Sequence, residues 1–401
     1  MPLSRKVSQG PERHGAAREA RPNHQVPEPG VEVPFNGSFC AFVLIHSNLE
    51  EFTHIRINHT ETAVYSEYLD QGKLSGYVQR YLQLLHMSVF SQSFSPCGRF
   101  LAAGNNYGEI ALFSLAAALS PDATAANQKP VLTFTAHEGP VFSLLSTDCV
   151  LLSAGNGEVS SWSWTELTKK NVKPLWTKRP NYKSGLEIPE INSMVINPRD
   201  NSLAIGAGDN NIHILDLEHG AFKATLQGHT DYLHCVCMRE REAELLSGGE
   251  DGAVRMWDSR TGRCVHCIEV HKYESCARPR YGKWISCLTT DSDWMLCGGG
   301  PSLSLWHLRS LSPTSVFPLR GCQRQAAFHQ DMILAVGEGA FVSHCLLGGE
   351  VKAQIPCTPP SLNTMQLNTK SSEHRVLTVG GGSSNIDVFT NLSYRAFSLS
   401  F

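Results

Sequence analysis

Apolar positions along the chain fall in short alternating runs separated by turns, and residues 228–258 display the pattern most fully. This stretch opens with Gly228-His229 and passes through two apolar segments and an acidic turn, Glu250-Asp251-Gly252. It closes with Trp257-Asp258, the Trp standing 28 residues after the His. Aligning every other strand-like run to the one ending in Trp257 brings Phe113, Trp162, Leu215, Trp306, Cys345 and Phe389 into register with it. Successive gaps, taken from Phe113 onward, are 49, 53, 42, 49, 39 and 44 residues. Three positions earlier stand Ile110, Val159, Ile212, Val254, Leu303, Val342 and Ile386, all aliphatic. One position earlier, Leu112, Ile214, Met256, Leu305 and Val388 keep the alternation of a half-buried strand, and Ser161 and His344 break it.

Each of these strands follows a turn signal, among them Asn106-Tyr107-Gly108, Asn156-Gly157, Asp209-Asn210 and Asp251-Gly252. Gly, Asn and Asp accept the positive φ that tight hairpins demand. Outer strands are expected near 131–134, 221–226, 264–270, 316–319, 351–355 and 396–399. The count is seven units of four strands, at 86–135, 137–178, 190–227, 229–270, 283–320, 323–356 and 361–401. A unit of this length with Gly-His and Trp-Asp borders is a propeller blade. The expected fold is therefore all-β, a seven-bladed propeller over 81–401, with a poorly structured N-terminal extension over 1–80. Residues 1–30 are rich in Pro, Arg, Glu and Gln and lack the apolar surface to fold. Residues 77–85 carry mild helical spacing through Val78, Tyr81, Leu82 and Leu85 and lead into the first blade. The final segment, 395–401, can supply the last outer strand, so the ring needs no strand exchanged from the N-terminus.

Composition narrows the function classes. With 41% hydrophobic residues, 18% charged residues and a net charge of −3, the chain has no global field drawing it to nucleic acid or membrane. No apolar run approaches the length of a membrane span. Thirteen cysteines, an odd number spread through a long chain, suit reduced core thiols better than a disulfide framework.

The Gly228-His229 and Trp257-Asp258 borders resemble those of WD-repeat propellers. Longer segments, among them QSFSPCGRFLAAGNNYG (92–108), SGGEDGAVRMWD (247–258) and FTNLSYRAFSLSF (389–401), resemble the sixth-subunit family of the THO complex over roughly 80–401. The resemblance implies a nuclear, non-enzymatic scaffold of the transcription–export assembly, coupling mRNA transcription, processing and splicing to mRNA transport. It implies as partners the other THO subunits, including elongated helical ones, with RNA contact indirect or weak, no membrane and no cofactor. In a WD-repeat blade, a His, a Ser or Thr, the turn Asp and the Trp form a hydrogen-bonded tetrad. Here these are His229, Ser247, Asp251 and Trp257. The second blade keeps His137, Ser153 and Trp162 but has Asn156 for the Asp. The others lack most of the set and are expected to rely on apolar packing.

Several constellations invite chemistry. Ser247, His229 and Asp251 contain the residue types of a hydrolase, but Ser247 follows Leu245-Leu246 inside a strand rather than sitting on a Gly-x-Ser-x-Gly elbow. Cys264, Cys267, His271 and Cys276 include metal-ligand spacing. The first two fall on a strand, where residues i and i+3 point to opposite faces, so free thiols are the reading and no metal is expected. Lys169, Lys170, Lys178 and Arg179 after the second blade, and Arg278 and Arg280 after the fourth, are a solvated rim and the candidates for weak RNA contact. Trp257-Asp258-Ser259-Arg260 matches the box with which substrate receptors of cullin-RING ubiquitin ligases dock. That makes Trp257, Asp258 and Arg260 the candidate partner contact and a ligase adaptor the alternative partner.

Overall fold

The structure is a computed structural model describing residues 71–182, 188–239 and 243–401, all within one compact unit, Glu67–Phe401. Residues 1–70, most of the expected extension, lie outside the described residues. Helix α1 spans Gln71–Leu85, so the expected boundary at residues 80 and 81 falls inside a helix. Arg80 ties that helix to the first blade through Glu109, with Nη1 at 2.9 and 3.0 Å from the two carboxylate oxygens.

Beyond α1 the described chain forms seven four-stranded antiparallel sheets, at 89–135, 143–178, 191–227, 233–269, 285–316, 323–356 and 362–400. Each innermost strand neighbours the next around the ring, and the first neighbours the seventh, so the ring is closed. The limits agree with the sequence-based units to within a few residues, with one exception. The outer strand of the fifth blade is Ser312–Val316, not 316–319. Pro313 pairs there beside a bulge opposite Leu305 and Trp306, where proline's missing N–H is tolerated. Phe317 and Leu319 are instead buried against the sixth blade, with Ala326 and Ile333.

The residues aligned with Trp257 are all core. None of the seven exceeds 4% exposure, and none of the seven aliphatic positions three residues earlier exceeds 1%. The expectation of half-buried strands is corrected. Third strands such as Asn385–Phe389 are buried at every residue after the first, because each blade is packed between two others. Ser161 and His344, which broke the alternation, are themselves buried. The expected hairpin turns carry positive φ at Gly108 (80°), Gly157 (72°), Asn210 (67°) and Gly252 (79°). At Gly108 a Cβ would also stand 1.9 Å from the His137 carbonyl oxygen, so glycine is required twice over.

All four strands of the seventh blade come from residues 362–400, so among the described residues the ring closes without strand exchange. Side chains bridge the seam: Asn363 Nδ2 donates to the Val89 carbonyl (3.1 Å), Gln92 Nε2 to that of Thr364 (3.2 Å) and Asn368 Nδ2 to that of Gly98 (2.8 Å). Val89, Phe94 and Phe113 share one apolar cluster with Val376, Ile386 and Leu399 across the same seam.

Candidate functional site

The fourth blade assembles the tetrad. Trp257 Nε1 donates to Ser247 Oγ at 2.8 Å, and Ser247 Oγ lies 2.7 Å from His229 Nε2. His229 Nδ1 stands 2.9 and 3.0 Å from the Asp251 oxygens. Because an indole can only donate, the serine hydroxyl accepts from Trp257, and His229 bridges that hydroxyl and the Asp251 carboxylate through Nε2 and Nδ1. Burial alone would raise the Asp251 carboxyl. The hydrogen bond and charge of His229, with the amides of Ala253 and Thr230, outweigh it and hold the group at about 2. Ser247 is 0% exposed and its oxygen is enclosed by two partners, so the Ser-His-Asp set has no hydroxyl that a substrate could reach.

Other blades hold fragments of this network, the second as expected and the third and fifth against the expectation of apolar packing. In the second blade His137 Nε2 and Trp162 Nε1 both meet Ser153 Oγ, at 2.7 and 2.9 Å. Asn156 turns away and donates to the Glu138 carbonyl, and the carboxylate nearest His137 Nδ1 is that of Glu158, at 3.6 Å. Burial lowers the His137 pKa, more than Glu158 raises it. In the fifth blade Trp306 Nε1 finds Ser304 Oγ at 2.8 Å on its own strand. In the third, His213 Nε2 lies 2.9 Å from Asp209.

The mouth of the central channel is a site that sequence reasoning missed. Six innermost strands shift register near their first residues, leaving Phe90, Asn192, His234, Ser286, Arg324 and Asn363 unpaired in the ladder. A bulge re-aims the extra side chain. All six line one cavity of about 510 Å³, which Phe142 and Trp284 complete. Rings pair around it: Phe90 with Phe142 (centroids 5.7 Å), and His234 with both Tyr232 (5.5 Å) and Trp284 (6.0 Å). Carboxylates stand behind them, Glu250 bonded to His234 Nε2 at 2.7 Å and Glu190 bonded to the Tyr232 hydroxyl. Arg324 is exposed and bonds Asn363. The mouth thus offers flat apolar faces, amides and one arginine on a rigid collar.

The basic candidates are not brought together. Lys169, Lys170, Lys178 and Arg179 sit on the second blade, with Lys169 paired to Glu166 (3.1 Å) and Arg179 to Glu158 (3.4 Å). Arg278 is withdrawn from the rim altogether. Its five N–H groups reach the carbonyls of Gly299, Gly300, Pro301, Leu319 and Gly321 at 2.9–3.3 Å, leaving none for a phosphate. Arg280 remains exposed, 6.0 Å from the Tyr281 ring centre. In the ligase-type box Trp257 is 1% exposed and therefore cannot itself touch a partner. Arg260 can, its side chain being 83% exposed and bonded through Nε to Asp258 at 3.2 Å.

For Cys264 and Cys267 the opposite-face argument fails. Cys267 pairs with Arg255 and Cys264 with Trp257, a bulge taking up the extra residue, so both thiols share the face of Arg255 and Trp257. Cys276 is buried in the connection to the fifth blade, and His271 Nδ1 stands 3.3 Å from the Gly252 carbonyl. Among the described residues no group of three or more His, Cys, Asp or Glu side chains is placed to hold a metal ion.

A closed ring of seven four-stranded blades, one carrying the Gly-His and Trp-Asp borders joined by the full tetrad, defines a WD-repeat β-propeller. The family described as nucleolar protein 10-like, N-terminal domain, matches residues 182–316. The THO complex subunit 6 homolog of Danio rerio is 74% identical over 80% of this chain and 99% of its own length. THO complex subunit 6 of Homo sapiens is 57% identical over 80% and 94%, and that of Arabidopsis thaliana 30% over 76% and 89%. The chain belongs to the THO complex subunit 6 family.

Proposed function

We propose that the chain is a non-catalytic scaffold subunit of the nuclear THO/transcription–export complex, coupling mRNA transcription and processing to mRNA export through protein–protein contacts. The observation that carries this reading is the similarity to THO complex subunit 6 over 94–99% of the length of the relatives from Homo sapiens and Danio rerio. The channel mouth, where six bulges present unlike side chains, is the surface offered for contact. Function on such a scaffold resides in what the framework holds outward. The partners are the other THO subunits, the elongated helical ones among them, and RNA is met weakly through Lys169, Lys170, Lys178, Arg179 and Arg280.

The test is co-purification from nuclear extract at gentle salt. The wild-type chain is expected to bring down THO subunits, and its absence from that assembly sinks the reading. A Trp284→Ala, Arg324→Glu variant with an unchanged melting temperature is expected to lose partners; full retention would move the contact away from the mouth.

A further inference from the structure

The outer strand of the fourth blade, Arg263–Glu269, carries the two thiols that the bulge at Val265 brings to one face. Both are exposed. Their ladder partners, Trp257 and Arg255, are two residues apart on one strand, which puts the two Cys Cα atoms about 7 Å apart, the upper edge of what a disulfide spans. They lie on the outermost strand of the sheet, paired on one side only, so bridging them takes a local backbone movement. Arg255 stands over the pair: its Nη1 is 3.8 Å from Cys264 Sγ, and its buried Nε has no hydrogen-bond partner. That guanidinium gives the pair a cationic neighbour that attracts the carboxylates of an incoming glutathione disulfide. Partial burial raises the Cys267 thiol more than the charge of Arg255 lowers it.

We infer that Cys264 and Cys267 form a dithiol modification site that glutathione disulfide converts to an internal disulfide. The Cys264 thiolate attacks one sulfur of glutathione disulfide, forming a mixed disulfide and releasing one glutathione thiolate, which takes a proton. Cys267, on losing its proton, attacks Cys264 Sγ, the mixed bond breaks, and the second glutathione leaves. Two protein thiols are oxidised and one glutathione disulfide is reduced to two thiols. Arg255 steers the first step and the bulge permits the second. The remaining described cysteines supply an internal contrast: Cys235, Cys276, Cys287, Cys297, Cys322 and Cys345 are buried, Cys237 and Cys357 are half-buried, and Cys97 and Cys149 are exposed.

The experiment treats the full chain with glutathione disulfide, blocks residual thiols, and weighs the peptides that carry 264–267 and Cys149. In the wild type the 264–267 peptide is expected to lose two hydrogens, keep no glutathione and revert with dithiothreitol. Cys267→Ser is expected to hold one glutathione on Cys264, several-fold faster than Cys149 acquires one. Cys264→Ser is expected to leave Cys267 no faster than Cys149. Arg255→Gln is expected to slow the first step at unchanged melting temperature. If wild-type Cys264 retains glutathione without closing on Cys267, or reacts no faster than Cys149, the proposal is overturned.

Discussion

The ring of Phe401, the last residue, meets Phe113 of the first blade nearly edge-on, with centroids 5.8 Å apart and planes at 76°. Phe113 is fully buried and is the first blade's counterpart of Trp257. The chain's end therefore reaches across the seam and packs on the core of the blade where the ring began. In a ring closed without strand exchange this contact replaces backbone pairing, and edge-to-face pairs contribute beyond their buried area. Phe401→Ala is expected to destabilise by about 1–3 kcal/mol, below the range for a fully enclosed phenylalanine because Phe401 is half-buried. Truncation after Ser384 removes the last two strands of the seventh blade and is expected to abolish cooperative melting. A calorimetric scan of both variants checks this, and a truncated chain that melts sharply at the wild-type temperature contradicts it.

Trp257 is the largest enclosed side chain of the tetrad blade and the donor that fixes the Ser247 hydroxyl. Its replacement by Ala leaves a cavity against Leu226 and Leu245 and frees one lone pair of a serine that is sealed from water. The expected loss is roughly 3–5 kcal/mol. Trp257→Phe keeps most of the volume and loses the N–H, so the gap between the two variants isolates the packing. Urea midpoints for the pair measure it.

Arg278 separates a structural arginine from an RNA-binding one. Its guanidinium pins the connection at Gly299–Pro301 to that at Leu319–Gly321, using every donor it has. Lysine offers three donors from a single nitrogen and cannot reproduce the fork. Arg278→Lys is expected to destabilise by about 2–4 kcal/mol and to leave RNA affinity, measured at fixed salt, unchanged. Charge reversal at Lys169, Lys170 and Arg179 is expected to do the opposite, weakening RNA binding while the melting temperature holds.

What was legible in the sequence followed from repetition. Seven aligned positions such as Phe113, Trp162 and Trp306 set the blades, and the spacing of His229, Ser247, Asp251 and Trp257 set the tetrad. The channel mouth was not legible, because a bulge adds one residue at a strand start without disturbing the apolar period downstream. Phe90 and His234 read as ordinary strand residues until the ladder skips them. Arg278 was misread for a related reason: its acceptors are carbonyls 21–43 residues further on, and backbone oxygens leave no mark in a sequence. The two thiols were misplaced by the rule of strand alternation, which one extra residue inverts.

Asp251 gives the fold a pH signature. Its carboxyl is held at about 2 in the folded chain against an ordinary value of 3.8, so the unfolded chain binds the proton more readily. Stability from this group is complete above about pH 4 and is lost as pH falls from there through 2. The amount is roughly 1–2 kcal/mol once solvent screening is allowed for. Asp251→Asn removes the titration but keeps an acceptor for His229 Nδ1–H. At pH 6 the variant is expected to be less stable than the wild type by about that amount, and near pH 2.5 the difference is expected to shrink. Urea denaturation at the two pH values decides it: a difference that stays constant or grows on acidification means the carboxylate is not what His229 holds.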